Sequence, residues 1–356
     1  MDLLIGIVAF VFMLTVIVTI HEWGHFMVAR HFGVFCKEFS IGMGPAIFQR
    51  QGKETMFSIR ALPLVGYVMM AGEEDGSQDE EEEWLKDVPQ DRRLNNKPWW
   101  QQVLVMLAGI FMNVFLAWIL FVGLALASGK IAEEPKPVIY EVIEGTGIEK
   151  AGLVKGDEII KVTDGEESIE PKTHNDLLEF VQYHHDTLTL TVKRGDETFD
   201  VEVTPTYDEQ DQVYYLGFRS LSTYRDATVW ESIKLGCDNW LYAGSAIFRS
   251  LGMLIRGIGF ENLSGPVGIF NVTSRSAQMG LASYLSLTAL ISMNIGIFNA
   301  LPVPALDGGR VLLLLLEKLF RKKISREVME RIITTSFLLL IGLLLFATYN
   351  DILRFF

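Results

Sequence analysis

His21-Glu22-Trp23-Gly24-His25 directly follows the apolar run Leu3 to Ile20. On a helix, residues four apart share a face, so His21 and His25 can offer two imidazoles to one metal ion. Glu22, beside the first of them, is placed to hold an attacking water as general base and not to bind the metal. The bland alternative is a core helix with satisfied histidines. Yet a His, a Glu and a second His inside an apolar helix are costly, and such groups are functional by default. The stretch points to a zinc protease site sunk in a membrane, and so to a helical membrane fold.

Four apolar regions bear this out along the chain: Leu3 to about Ala29, Val103 to Ala127, Leu281 to Phe298, and Ile332 to Tyr349. Each approaches the ~20 residues needed to cross hydrocarbon, the third only if its broken continuation counts. The first has no basic n-region, and cleavage behind it would remove the His-Glu-His motif, so it reads as a span and not a signal peptide. Basic residues concentrate between spans one and two (Arg30, Lys37, Arg50, Lys53, Arg60, Lys86, Arg92, Arg93, Lys97) and between three and four (Lys318, Arg321, Lys322, Lys323, Arg326, Arg331). Both loops should be cytoplasmic, with both termini and the long insert between spans two and three outside. His21 then lies ~27 Å along the first helix, nearer the cytoplasmic face.

The net charge of −13 is concentrated, since Glu73 to Glu83 holds eight acidic residues and no basic one. Such a run reads as a solvated loop. Nothing suggests nucleic-acid binding. The two cysteines, Cys36 and Cys237, form no spaced framework for disulfides or zinc.

After the first span, Phe39 to Pro45 and Thr55 to Met70 are β-type runs separated by Gln49-Arg50-Gln51-Gly52-Lys53, the punctuation of a hairpin. It is apolar enough to dip into the membrane beside the site, where its edge could pair with an unwound substrate strand. A plain cytoplasmic hairpin is the other reading. Asn113 in the second span is either an interhelical hydrogen-bonding group or a participant in the site. From about Val138 to Val203 the composition is that of a soluble α/β module. Strands are expected at Val138–Ile143, Glu158–Val162, Thr187–Lys193 and Thr198–Val203, with a helix over Asp176–His184. His174, His184 and His185 read as surface or capping groups. Ala227 to Gly259 carries Glu231, Lys234, Asp238 and Arg249 among its apolar residues, which suits an interfacial amphipathic helix better than a fifth span.

Two histidines leave a catalytic zinc one protein ligand short. Asp307 fits the vacancy, in Asn299-Ala300-Leu301-Pro302-Val303-Pro304-Ala305-Leu306-Asp307-Gly308-Gly309, where Pro302 and Pro304 must interrupt the third span. Running inward, that span brings Asp307 to the level already derived for His21. The competing role is a helix cap. Glu22 would take the proton from water and pass it to the leaving amine. The substrate must be locally unwound, and Asn299 could bond its exposed backbone or simply stabilise the broken helix. Other divalent ions suit the same ligands.

His21 to Phe26, Phe39-Ser40-Ile41-Gly42-Met43-Gly44-Pro45 and Asn299 through Gly309 together resemble the bacterial site-2 protease family, in particular its sigma-E regulator branch with a PDZ insert. Ser264-Gly265-Pro266-Val267-Gly268-Ile269 is similar to that family's approach to the third span. Gly145 to Gly165 resembles the permuted PDZ domains of bacterial proteases. The resemblance implies residues 1–35 as the first span with the zinc motif, 36–98 as a membrane-associated β-hairpin and acidic loop, and 99–129 as the second span. Residues 130–206 become an extracytoplasmic PDZ domain, 207–263 a linker with the interfacial helix, and 264–356 the broken third span and the fourth. It implies a multi-pass protein of the bacterial cytoplasmic membrane that binds Zn2+ and cuts transmembrane segments of single-pass proteins already cleaved by a site-1 protease. Anti-sigma factors and remnant signal peptides are typical substrates, with the PDZ domain restricting access by uncut ones. Glu22 would be catalytic, His21, His25 and Asp307 the metal ligands, and Asn299, Pro302, Pro304, Gly66 and Asn113 the residues set toward substrate. Departures are Val65, where the family often has Gly, and Ile110, where Pro is frequent. The rival readings are a soluble-site zinc protease on a membrane anchor, and a transporter or PDZ adaptor that uses the broken span without proteolysis.

Overall fold

The computed structural model describes residues 2–63, 65–73, 84–165, 167–208, 213–257, 263–322 and 324–355. Most of the acidic run, residues 74–83, therefore lies outside the described residues, as do 209–212 and 258–262 of the expected linker. The chain forms two compact units, one of Met1–Ser128 with Ile233–Phe356 and one of Gly129–Ser232.

The first unit opens with α1 (Asp2–His31), an unbroken helix carrying the His-Glu-His motif in its C-terminal third. Four short strands follow: β1 (Cys36–Ile41), β2 (Met43–Gln51), β3 (Met56–Leu62) and β4 (Tyr67–Met70). They pair in the order β2-β3-β1-β4, with β1 parallel to β3 and antiparallel to β4. The expected hairpin is thus only the β2–β3 half of a four-stranded sheet. Its centre is held by polar contacts that hydrophobic patterning does not register. Glu38 on β1 accepts hydrogen bonds from Ser58 and from Arg60 Nη2 at 2.7 Å, and the Arg60 guanidinium lies over the Tyr67 ring of β4. One face of the sheet packs on α1 through Phe26, Phe39, Val68 and Met70. β2 is exposed along its whole length, Ile47 and Phe48 included.

Each of the four apolar regions forms one helix long and apolar enough to cross a membrane: α1, then α2 (Trp99–Ser128), and near the C-terminus two more named below. Helix association in lipid relies on close packing of small residues instead of a hydrophobic driving force. The α1–α2 crossing shows it. A side chain at Gly24 would come within 2.5 Å of the Ala108 carbonyl oxygen.

The second unit begins with β5 (Lys130–Ala132) and β6 (Glu141–Val142), followed by the short α3 (Gly147–Lys150). The strand expected over 138–143 is reduced to β6 and a single bridge at Val138, since the N–H groups of Ile139 and Tyr140 bond in different directions, to the Asp157 and Arg219 carbonyls. Next come β7 (Glu158–Asp164), β8 (Glu167–Ile169), α4 (His174–Tyr183), β9 (Leu188–Arg194) and β10 (Glu197–Val203). Helix α4 starts earlier than expected because Thr173 and Asp176 form a reciprocal capping box. The main sheet runs β10-β9-β7-β8, and alternate residues of β9 point Leu188, Leu190 and Val192 into a core with Val181 and Ile159. Beyond residue 206 the chain continues in this unit. β11 (Thr206–Asp208) pairs with β12 (Val213–Tyr215), β13 (Phe218–Arg219) returns to β6, and β14 (Tyr224–Asp226) returns to β5. The domain boundary expected at 206 therefore moves to 232, and the first part of the expected linker is folded structure.

Helix α5 (Val229–Ile255) is amphipathic as expected and is not among the four span-like helices. Its apolar side does not simply face lipid. Ala243 and Ile247 pack with Ala117 and Phe121 of α2, and Trp240 Nε1 donates to the Val114 carbonyl at 3.1 Å. α6 (Pro266–Gln278) leads into α7 (Leu281–Asn299), the third span, which breaks at residues 300–306 before α8 (Asp307–Phe320). α9 (Arg326–Phe355) is the fourth.

Candidate metal centre

One turn apart on α1, the imidazoles of His21 and His25 bring their Nε2 atoms within 3.1 Å of each other. Asp307 Oδ2 lies 3.1 Å from the first and 3.3 Å from the second. Among the described residues this is the cluster of His, Cys, Asp and Glu side chains able to share a metal ion. Both histidines are more than nine-tenths buried. Asp307 is the first residue of α8, whose N-cap position is Leu306, and its carboxylate is turned toward the two imidazoles.

The proton inventory tests whether a cation fits. His25 Nδ1 is 2.7 Å from the Val105 carbonyl, which can only accept, so the ring proton sits on Nδ1 and Nε2 carries a lone pair. His21 Nδ1 is 3.3 Å from the side-chain amide of Asn113. Nitrogen and oxygen of an amide are interchangeable by shape, so the contact accommodates a His21 ring proton on Nδ1 facing the amide oxygen, the tautomer that leaves Nε2 free. In those tautomers three acceptor atoms, His21 Nε2, His25 Nε2 and Asp307 Oδ2, converge on one point. Tetrahedral zinc with bonds near 2.0–2.1 Å has ligand–ligand edges of about 3.3 Å. The observed triangle matches that edge length, and the His and carboxylate donors are those zinc takes.

Asn113 was expected to face substrate. It is fully buried beside His21, with its backbone carbonyl accepting from Ser292 Oγ at 2.8 Å, a position from which it can orient that ring. Gly109 is a second such residue, and one that the sequence reading passed over. A Cβ there would strike His25 Nε2 and come 2.8 Å from His21 Cε1. Its only signal in the sequence is the small pair Ala108-Gly109 in the middle of a bulky apolar span. The Val105 carbonyl leaves no signal at all, because any residue supplies one.

Glu22 is half-buried and lies within electrostatic reach of His21, His25 and Asp307. Gly66 sits beside it: a Cβ at Gly66 would come 3.6 Å from Glu22 Cγ and 3.6 Å from Val18. The Pro63 carbonyl accepts from Thr15 Oγ1 at 2.6 Å. The β3–β4 connection therefore tracks α1 from the middle of the span to Glu22, and delivers the chain into edge strand β4.

Asn299 ends α7, while Pro302, exposed, and Pro304, half-buried, occupy the turn before Asp307. These three lie outside the ligand cluster. The turn is tight, since a Cβ at Gly309 would strike the Val303 carbonyl. One turn beyond Asp307, Arg310 Nη1 donates to Glu73 Oε1 at 2.6 Å and ties α8 to the segment after β4. In the second unit, His184 bonds Asp164 at 2.7 Å and His185 stacks on Tyr214, in keeping with non-metal roles.

Residues 9–343 match the model of peptidase family M50. A Staphylococcus aureus (strain N315) protein whose name includes zinc metalloprotease is 31% identical over 440 aligned residues, covering 100% of both chains. A Clostridium perfringens protein, also carrying zinc metalloprotease in its name, is 34% identical over 95% of each chain. The regulator of sigma-W protease RasP of Bacillus subtilis is 28% identical over 98% of this chain and 99% of its own. The expected site-2 protease kinship is met, and with it the zinc, the multi-pass membrane setting and the hydrolytic activity: this chain belongs to peptidase family M50.

Proposed function

We propose that the chain is an intramembrane endopeptidase in which His21, His25 and Asp307 hold zinc and Glu22 is the general base. The observation that carries this reading is the convergence of three potential ligand atoms, two from a helix long and apolar enough to span a membrane and one from just beyond another, with Glu22 on the adjoining residue. Bound there, zinc polarises the scissile carbonyl and lowers the pKa of water toward ~7. Glu22 accepts the proton of the attacking water and returns it to the leaving amine. Val105 and Asn113 hold the two rings in the tautomer that leaves Nε2 free. Edge strand β4, which follows Gly66, offers unpaired backbone beside Glu22 to an unwound substrate segment. Asn299, Pro302 and Pro304 border the same approach.

The substrates are transmembrane segments of single-pass proteins, such as anti-sigma factors or remnant signal peptides, after a first cut by another protease. The name of the Bacillus subtilis relative, a regulator of sigma-W protease, favours that class. The unit at 129–232 acts as a PDZ domain that restricts uncut substrates. By the distribution of basic loops, that domain and both termini face outward from the bacterial cytoplasmic membrane, and the zinc lies toward the cytoplasm. The exposed apolar strand β2 contacts lipid.

The test compares the wild type with Glu22→Gln, purified in detergent, for zinc content and for cleavage of a transmembrane reporter peptide. Zinc retained with cleavage abolished is the expected result. Zinc retained with cleavage intact would sink the mechanism, and no zinc in either protein would point to the transporter or adaptor reading.

A further inference from the structure

Helix α9 is largely exposed along its apolar faces, as at Phe337, Leu338, Leu339 and Leu345, but near its C-terminal end one carboxyl is fully buried: Asp351. The metal chemistry makes no use of it. A buried carboxylate at the end of a membrane span is costly and calls for a partner. Asp351 Oδ2 accepts the backbone N–H of Gly268 at 2.7 Å, in the first turn of α6. That helix provides no cap of its own. Its N-cap is Gly265, without a side chain, and Pro266 follows. Asp351 thus supplies from another span the acceptor that an N-cap side chain ordinarily supplies locally. The fit is close, for a Cβ at Gly268 would come 2.7 Å from Asp351 Oδ1, and one at Gly265 would come 2.7 Å from the Thr348 amide nitrogen.

From this capped end, α6 runs along the outer half of α1. Phe270 meets Phe10 edge-to-face at 5.7 Å, Thr273 Oγ1 points at Met13 Sδ at 4.0 Å, and Ser274 fills the space beside Gly6. Met13 and Thr273 are fully buried in this contact. Because α1 is one continuous helix, His21 lies only ~12 Å further along the rod from Met13. A tilt or rotation allowed at residues 6–13 is carried to the imidazoles.

We propose that Asp351 is a positioning residue for the metal-binding helix: by capping α6 from the fourth span it fixes the seat of α1, and through α1 the placement of His21, Glu22 and His25. The inference rests on the reading of those residues as the zinc centre. Its test uses full-length wild type, Asp351→Leu, Asp351→Asn and Gly268→Ala in detergent. Three quantities are measured: kcat and KM for a transmembrane reporter peptide, and the rate of zinc loss to a chelator. Misplacement of reacting groups by a fraction of an ångström predicts a kcat about 10-fold lower in Asp351→Leu with KM within about twofold, and faster zinc loss. Gly268→Ala, which disturbs the same carboxylate from the other side, should reproduce both changes. Asp351→Asn keeps an oxygen for the Gly268 N–H and should stay within about threefold of wild type.

Wild-type kcat and zinc retention in folded Asp351→Leu would overturn the proposal. So would a change confined to KM, which would assign Asp351 to substrate admission. If Asp351→Leu fails to fold, Gly268→Ala decides by the same two criteria. Absence of cleavage by the wild type would count against the proteolytic reading, while zinc retention would still judge the role of Asp351.

Discussion

A single hydrogen atom in place of a methyl group keeps the imidazoles of His21 and His25 where they are. Gly109 faces both imidazoles across the α1–α2 crossing, and Gly24 lets the Ala108 carbonyl approach from the other side. Gly109→Ala should therefore displace His25 and His21 together, and zinc content by atomic absorption should fall with cleavage. Loss of a ligand-orienting contact typically costs about 10–100-fold in metal affinity. Asn113→Leu should fall in that range too, and Gly109→Ala at or beyond its upper end. The three clustered side chains are legible in the chain: the i, i+4 spacing announces His21 and His25, and an aspartate in a proline-broken span announces Asp307. Their supports were not. A carbonyl such as that of Val105 has no residue type, and the hole at Gly109 is defined by what lies opposite.

At the level of the element, polar residues decided what periodicity missed. The turn residues Gln49 to Lys53 suggest a lone hairpin, whereas β1 and β4 join it through a sheet in which the polar Glu38 and Ser40 are buried and bonded. Similar logic governs the turn before β7. Asp157 is fully buried, accepts two hydrogen bonds from Arg194 at 2.7 Å each and takes the Val154 N–H at 2.8 Å. The Arg194 guanidinium is the main influence that holds its carboxyl below the usual carboxylate range, outweighing burial. A depressed carboxyl stabilises fully above its unfolded value, about 3.9, and the benefit disappears as pH falls through the folded value. The amide-exchange protection factors at residues 154–159 of the full-length protein, corrected for intrinsic rates, should therefore fall below about pH 4 in the wild type. Asp157→Asn should flatten that acid dependence and cost about 2–4 kcal/mol of local stability at pH 7.

On the scale of the whole molecule, the four spans were readable from apolar length alone, whereas the end of the inserted unit was not. Strands β11 to β14 are only two or three residues long, below what any pattern resolves. They matter because β14 pairs with β5, and the Ala227 N–H reaches the Gly129 carbonyl at 2.8 Å, so the chain enters and leaves that unit at one place. Insertions with adjoining ends are removable. Replacing residues 129–232 with a short Gly-Ser bridge should leave zinc content unchanged and the reporter peptide cleaved, and should admit substrates that retain a bulky outer domain. Loss of zinc on excision would show that the two units are not independent. One further consequence concerns the order in which the centre is assembled. His25 and Asp307 belong to opposite ends of the chain, and the ribosome adds about 280 residues between them. At roughly 5–20 residues per second, the first two ligands wait on the order of 15–60 s for the third. Throughout that interval the nascent protease is unarmed, surrounded by the translocation machinery and by other newly inserted helices that it will later be equipped to cut.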